Sequence, residues 1–372
     1  MATRPRIGID CRMYSSKFTG IGRYVYELVH HLTKIDTKHD FVLFFNEPEF
    51  SEFIPPNEHV IKVNASARHY SLAEQTIFLY KVLKEKLDLM HFTHFNAPIL
   101  YKKKSVVTIH DLTLSFFPGN KMRSPVYRAA YKIALRSATH NASKIITVSH
   151  NTAKDLQKSL EVDAHKIHVI YEGVNENFKP ASKKSTSTST RPPYILYTGV
   201  WRSHKNLVSL IKAFQILKDK YKEDVQLVIT GREDPHYPEV KRTAAESGYE
   251  SDIIFTGMLP EKELIDLYAG AHVYTLPSFY EGFGLSPLEA MQSGVPTVVS
   301  KTSCLPEICG EENALFFDPY DPSDIAEKLH TACVNDEVRK KLIANGKEHV
   351  KKFSWEKMAH ETLEVYNFLL KH

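Results

Sequence analysis

The sequence predicts an α/β protein built as two doubly wound parallel-sheet domains. Three observations carry that expectation. The chain has 372 residues, 42% of them hydrophobic, enough for more than one core. Short apolar runs of strand length alternate with amphipathic stretches along most of it, the pattern of buried parallel strands joined by helices. A polar, low-complexity stretch from Pro180 to Pro193, containing Ser182-Lys-Lys-Ser-Thr-Ser-Thr-Ser-Thr-Arg191, interrupts the alternation near its middle and cannot pack a core. The expected layout is therefore a first domain over 1–180, a linker over 181–193, a second domain over 194–353 and a final helix over 354–372.

In the first domain, Ile7–Asp10 reads as a short strand. Val25, Leu28, Val29 and Leu32 follow at i, i+3, i+4 and i+7, one face of a helix. Further strands are expected at Phe41–Phe45, Val60–Val63, Leu89–His91, Val106–Ile109, Ile145–Val148 and Ile167–Ile170, with helices near 71–87, 124–138 and 152–160. In the second domain, strands are expected at Tyr194–Tyr197, Val225–Thr230, Ile253–Phe255, Val273–Leu276 and Thr297–Val299. Helices are expected near 206–220, 238–247, 261–269, 287–293 and 322–334. The run 338–370 is helical, with Ser354 as a cap between two helices. Ligand sites of such sheets lie at the strands' carboxyl ends.

Composition narrows the function. Four cysteines, Cys11, Cys304, Cys309 and Cys333, form neither a C-x-x-C pair nor a zinc spacing, which fits a reduced, cytosolic protein without structural disulfides. Met1 to Arg6 leads straight into a strand without an apolar signal region, and no run of 18 apolar residues is present. Residues 1–190 hold 27 Lys and Arg against 17 Asp and Glu. Residues 191–372 hold 21 against 27, so a basic half of +10 adjoins an acidic half of −6. That asymmetry points to an anionic partner for the first half. No nucleic-acid module is visible, so a membrane surface or a lipid-linked anion is expected instead. Arg128, Lys132 and Arg136 recur every four residues as one helical stripe, with Lys121 and Arg123 ahead; this is either a solvated face or a patch for anionic lipid.

The segment Ser278 to Ser300 is the most informative. Glu281 and Glu289 flank the glycine turn Gly282-Phe283-Gly284-Leu285, and a helix follows. Backbone amides at a helix start favour anions, and carboxylates accept hydroxyls, which suits a phosphate-linked sugar. Ser286-Pro287-Leu288-Glu289 can also be read as a capping box, with Glu289 tying off the helix. Upstream, Arg202 and Lys205 lie in a loop between strand and helix and can neutralise a diphosphate. In the first half, Gly20 and Gly22 stand where the first helix begins. His110-Asp111 ends a strand, and Asn96 and Ser149 are weaker candidates at neighbouring strand ends.

The segment Ser278–Val298 resembles the E-x(7)-E signature of the family-4 retaining glycosyltransferases, matching almost every position of its usual form. Lys205-Asn206 is similar to the end of that family's basic loop, with His204 where many members carry Arg and Arg202 two positions away. The loop through Gly20, Gly22 and Arg23-Tyr24 resembles the family's phosphate loop. Asp10-x-Arg12 with Thr19-Gly-Ile-Gly-Arg-Tyr24 looks most like mannosyl- or rhamnosyl-type members that build surface polysaccharides. The resemblance covers nearly the whole chain and is densest over 194–310.

It implies the GT-B architecture, two Rossmann-like domains facing across a substrate cleft, with the last helix crossing back to the first domain. The implied activity is transfer of a hexose, with retention, from a nucleoside diphosphate sugar to a hydroxyl of a glycan or lipid-linked acceptor, with GDP-mannose the first expected donor. His110, Glu281, Arg202 and Lys205 would be catalytic. Gly20, Gly22, Phe283, Gly284, Leu285 and Glu289 would hold the donor with Lys205, Glu289 gripping the ribose. Asp111 and Asn96 would lie on the acceptor side. No metal or other cofactor is expected, because Lys and Arg serve the leaving diphosphate. The expected location is cytoplasmic, or peripheral at the inner face of a membrane. The alternatives are another enzyme of the same fold, such as a nucleotide-sugar epimerase, and a non-catalytic nucleotide-sugar-binding subunit.

Overall fold

The computed structural model describes residues 4–15, 20–35, 38–119, 122, 124–180 and 192–372. Phe18, Thr19, Lys121, Arg123 and residues 181–191 of the expected linker lie outside the described residues.

The chain opens with β1 (Arg6–Asp10), α1 (Gly20–Ile35), β2 (Asp40–Phe45), α2 (Glu49–Glu52) and β3 (Val60–Asn64). One π-helical turn, Glu74–Phe78, leads into α3 (Leu79–Lys84), where the pattern predicts a single helix over 71–87. Then come β4 (Leu89–Phe92), β5 (Ser105–Ile109), α4 (Thr113–Phe116), α5 (Pro125–Asn141), β6 (Lys144–Thr147), α6 (His150–Leu160) and β7 (Ile167–Val169). The seven strands are parallel, in the order β3-β2-β1-β4-β5-β6-β7. Order reverses direction between β1 and β4, the point at which a crevice opens at the carboxyl ends of such a sheet.

The second series is β8 (Tyr194–Thr198), α7 (Leu207–Tyr221), β9 (Gln226–Thr230), α8 (Glu239–Glu246), β10 (Ile253–Gly257), α9 (Glu261–Gly270) and β11 (Val273–Leu276). It continues with α10 (Leu285–Gln292), β12 (Thr297–Ser300), α11 (Leu305–Cys309), β13 (Leu315–Phe317), α12 (Pro322–Val334) and α13 (Asp336–His349). All six strands are parallel, ordered β10-β9-β8-β11-β12-β13, with the reversal between β8 and β11. The edge strand β13, three residues long, is absent from the sequence expectation.

The final helix, α14 (Trp355–Lys371), begins where Ser354 accepts a hydrogen bond from the Lys357 amide. It buries Trp355, Met358, Thr362, Val365, Tyr366 and Leu369 at helical spacing and packs on α1 and β4. Each large apolar side chain buried this way contributes about 1.5–3 kcal/mol.

Two compact units result: Met1–Gly173 with Ser354–His372, and Val174–Phe353. Residues 174–180, placed with the first domain on sequence grounds, pack in the second unit. Phe178 is buried edge-on to Tyr268, with ring centroids 5.1 Å apart, and Asn175 donates to Glu261 at 3.0 Å. The boundary follows this burial and so precedes the low-complexity stretch.

Candidate active site

In the second unit, the chemistry gathers where the strand order reverses. The loop after β8 ends in a 3-10 turn, Ser203–Lys205, and Asn206 takes a left-handed conformation with φ 57° before α7. The Asn206 side-chain amide donates to the carbonyls of Pro277 (3.1 Å) and Pro319 (2.8 Å), and the Phe279 amide donates to the His204 carbonyl (2.8 Å). These bonds tie the basic loop to the loop that follows β11. Behind them Gly231 packs on Gly199 so closely that a Cβ there would come within 2.0 Å of the Gly199 carbonyl oxygen.

The registration brings Lys205 onto Glu281. Its Nζ lies 2.6 and 2.8 Å from the two carboxylate oxygens, and Ser278 Oγ donates to Oε1 at 2.6 Å. Burial pushes the Glu281 carboxyl up. The charges of Lys205 and His204, with the hydrogen bonds from Lys205 and Ser278, outweigh that and hold it below the usual glutamate range. Ser303 accepts from the Glu281 amide (2.9 Å) and donates to its carbonyl (2.6 Å), while Cys304 donates to the carbonyls of Glu281 and Phe283. Arg202, by contrast, is exposed and makes no ion pair among the described residues. His204, in the position of the family arginine, is buried.

Gly284, with φ 94°, is the N-cap of α10, a conformation that favours glycine. No side chain caps this helix, so Ser286 does not form the capping box that its spacing allows. Glu289 instead accepts from Tyr268 Oη at 2.9 Å. Tyr268 pairs with Thr198 Oγ1 at 2.6 Å. Burial first, then the Glu289 charge, push the Tyr268 phenol up, so it stays a donor. Phe283, Gly284 and Leu285 form the entry to α10, where first-turn amides have no carbonyl one turn back.

In the first unit, His110 is the residue after β5. Its Nε2 donates to the Thr93 carbonyl at 3.0 Å and its Nδ1 lies 3.4 Å from Glu172 Oε1, both side chains being almost fully buried. The ring is thus fixed from both nitrogens. Tyr24 of α1 meets it edge-on at 4.7 Å and pairs with Thr108, which also pairs with His91. Burial, reinforced by His110, pushes the His91 ring down to about 3. Its other nitrogen meets Tyr366 of α14.

Asn96, in the loop after β4, shares this edge of the sheet with His110. Asp111 turns to its own chain and accepts from the Thr113 amide at 2.7 Å. Ser149 caps α6 through the Thr152 amide. Gly22 is buried in α1, and a side chain added at Gly20 would enter open space. No group of three or more His, Cys, Asp or Glu side chains placed to hold a metal occurs among the described residues.

Sequence reasoning missed Glu172, Thr93, Ser303 and Tyr268. None belongs to a motif; each is recognisable only by what the fold sets beside it.

Comparison with known proteins agrees with this architecture. The pattern of the glycosyl transferases group 1 matches residues 178–349, and that of glycosyltransferase family 4 matches residues 18–178. The chain belongs to the group 1 glycosyltransferases of GT-B fold. It is 28% identical over 377 residues to O-antigen chain mannosyltransferase B of Escherichia coli, covering 94% of this chain and 96% of that one. To O-antigen chain mannosyltransferase RfbU of Salmonella typhimurium it is 26% identical, covering 72% and 69%. Among solved structures, sucrose-phosphate synthase from Thermosynechococcus elongatus superposes with a TM-score of 0.81 at 19% identity, covering 99% and 100%.

Proposed function

We propose that this glycosyltransferase moves mannose from GDP-mannose to a hydroxyl of a glycan or lipid-linked acceptor, with retention of configuration and without a metal. The observation that carries the reading is the Lys205–Glu281 pair at the strand-order reversal of the second unit, locked from behind by Asn206 and Ser303. The mannosyltransferase relative, alignable over nearly the whole of both chains, supports the choice of sugar.

In this reading Lys205 shifts from Glu281 to the donor's diphosphate, a charge-assisted contact that strengthens as the bond to the sugar breaks. Arg202, exposed on the same loop, adds a second positive charge. Glu281, ionised at neutral pH, accepts the sugar's hydroxyls, and Glu289, oriented by Tyr268, takes the ribose. The amides of Phe283, Gly284 and Leu285 serve phosphate and sugar oxygens, as does the backbone at Gly20 and Gly22. His110 bears on the reacting face of the sugar, oriented by Glu172 and Thr93; Asp111 and Asn96 lie toward the acceptor. The C1–O bond to the diphosphate breaks and a C1–O bond to the acceptor hydroxyl forms on the same face. The acceptor's proton passes to the departing phosphate oxygen.

The exposed face of α5 supports a membrane-linked acceptor. Arg128, Lys132 and Arg136 lie there beside exposed Val126, Tyr127 and Ile133, and each basic group contributes about 1 kcal/mol near anionic lipid. No helix among the described residues is long and apolar enough to cross a membrane.

The test is turnover of a donor panel (GDP-mannose, UDP-glucose, UDP-galactose, UDP-N-acetylglucosamine, dTDP-rhamnose) in the presence of EDTA, with product configuration read by NMR. GDP-mannose consumed and an α-linked product support the reading. Cleavage of another donor alone, a β-linked product, or loss of turnover with EDTA each overturn the corresponding part. Flotation with phosphatidylglycerol vesicles, lost in a triple Arg128→Gln, Lys132→Gln, Arg136→Gln variant, tests the membrane arm.

A further inference from the structure

Behind His110 lies a row of buried polar groups to which the steps above give no role. His91, in β4, is closed to solvent, and both of its ring nitrogens are engaged. Nδ1 meets Tyr366 Oη of α14, and Nε2 lies 2.8 Å from Thr108 Oγ1 of β5. Thr108 Oγ1 is also 3.0 Å from Tyr24 Oη of α1. The Tyr24 ring in turn meets the His110 ring nearly at right angles, with centroids 4.7 Å apart and planes at 86°. One unbroken row thus runs from the last helix of the chain, through two neighbouring strands and the first helix, to His110.

Tyr366, His91, Thr108 and Tyr24 are all fully buried, and polar groups are costly there unless each is paired, as each is here. With its ring value pushed down to about 3 by burial and then by His110, His91 is neutral at physiological pH. A neutral imidazole that accepts at one nitrogen donates at the other, so His91 passes on the direction of the hydrogen bonds. The row has a phenol at each end, and one of the two keeps a spare O–H. Burial, and after it the Glu172 charge, keeps the Tyr24 phenol protonated, whereas only neutral Tyr24 and Cys11 bear on the phenol of Tyr366. A carboxylate attracts the spare hydrogen to its own end. The donating order is then Tyr366 to His91, His91 to Thr108, and Thr108 to Tyr24.

His110 itself is held at its nitrogens by the Thr93 carbonyl and Glu172. Two contacts in the plane of a ring fix its axis and leave it free to tilt about that axis. A second ring set perpendicular to it blocks the tilt, and aromatic pairs favour that arrangement. The Tyr24 ring does this only if its own far end is anchored, and Thr108 and His91 supply the anchor. Tyr366, 275 residues beyond His91, closes the row from the opposite end of the chain.

We infer that Tyr366, His91, Thr108 and Tyr24 form a hydrogen-bonded relay through which α14 positions the His110 ring. This rests on the role given to His110 above and deepens it, making the last helix a support of the site as well as of the first unit's core. All four are positioning residues; being fully buried, none touches donor or acceptor.

The experiment is long-range proton–nitrogen NMR of the full chain carrying isotope-labelled histidine, with GDP-mannose hydrolysis followed on the same samples. His91→Gln and His110→Gln assign the two rings. Tyr366→Phe keeps the packed ring and removes one hydroxyl. It should move the His91 signals toward mixed tautomers, shift those of His110, and lower kcat about five- to tenfold with the donor KM unchanged. Tyr24→Phe breaks the row at its other end; it should do the same, and it carries the test if Tyr366→Phe does not fold. Met358→Ala, two turns away on the buried stripe of α14, should melt lower yet leave the His110 signals and kcat as they were. Three results overturn the inference: His110 signals unmoved in both Phe variants, signals moved as far by Met358→Ala, or normal hydrolysis in both Phe variants where His110→Ala is impaired. Moved signals with His110→Ala unimpaired uphold the relay and sink the role given to His110 instead.

Discussion

The two units place opposite chemistry at the same point of two similar sheets. In the second, the reversal between β8 and β11 presents Lys205 and Glu281, a close ion pair with 20% and 12% of its side chains still open to solvent. In the first, the reversal between β1 and β4 seals Arg12 between Asp10 and Glu74, with side-chain exposures of 0–4%. A half-open ion pair can exchange its partner for a phosphate. A buried, doubly paired arginine cannot; it serves as scaffold. A single doubly wound pattern thus supplies one ion pair open to exchange and one locked as scaffold, and the difference lies in how far each charge is buried.

The largest expected effect breaks the scaffold side. Arg12→Met leaves Asp10 and Glu74 buried without their partner, and unfolding by urea should show about 3–5 kcal/mol of lost stability. Arg12→Lys, which cannot reach the Asp10, Glu74 and Asn96 acceptors together, should recover only part of it.

Next comes the exchangeable side. Lys205→Ala should cost on the order of 10²–10³ in kcat and less stability than Arg12→Met, because the pair it breaks is half-open to solvent. An equal loss of stability in the two variants would erase the distinction between scaffold and site. Glu172→Gln keeps the shape beside His110 but removes its charge. It should lower kcat by about tenfold while leaving KM for the donor near its original value.

The pH dependence sharpens the contrast further. Glu281 has a folded-state value below the unfolded glutamate value of about 4.3. Its pairing therefore stabilises the fold at neutral pH, and that stability is lost as pH falls below about 4. Glu281→Gln should melt lower than wild type at pH 7 and lose less on acidification, as differential scanning fluorimetry would read. The smallest effect is expected for Tyr268→Phe, which deprives Glu289 of one donor and should raise the donor KM by a few-fold, equivalent to about 1 kcal/mol.

The parts of this account legible in the sequence were those carried by contiguous residues. The alternation of buried strands and helices indicated two doubly wound sheets, and the string from Ser278 to Ser300 held Glu281, Gly284 and Glu289 within one turn and one helix. Lys205 was readable because it ends a loop at a strand's exit. The role of Glu289 was ambiguous, since Ser286-Pro287-Leu288-Glu289 satisfies a capping pattern. Only the helix starting two residues earlier, on Gly284, shows that Glu289 turns to Tyr268 instead. The scaffold of the first crevice was not readable at all. Arg12 and Glu74 are 62 residues apart and Glu172 follows His110 by a comparable span, so neither pairing leaves a local signal. Burial decides such partnerships, and burial is a property of the assembled sheet.

On the proposed reading, recognition of the donor's charge belongs to Lys205 of the second unit. Calorimetric titration of GDP-mannose into wild type, Lys205→Ala and Asn96→Ala tests it most directly. The account predicts binding to wild type and Asn96→Ala with equal affinity, and a loss of about tenfold or more in Lys205→Ala. Equal binding by Lys205→Ala, or a loss confined to Asn96→Ala, would contradict it.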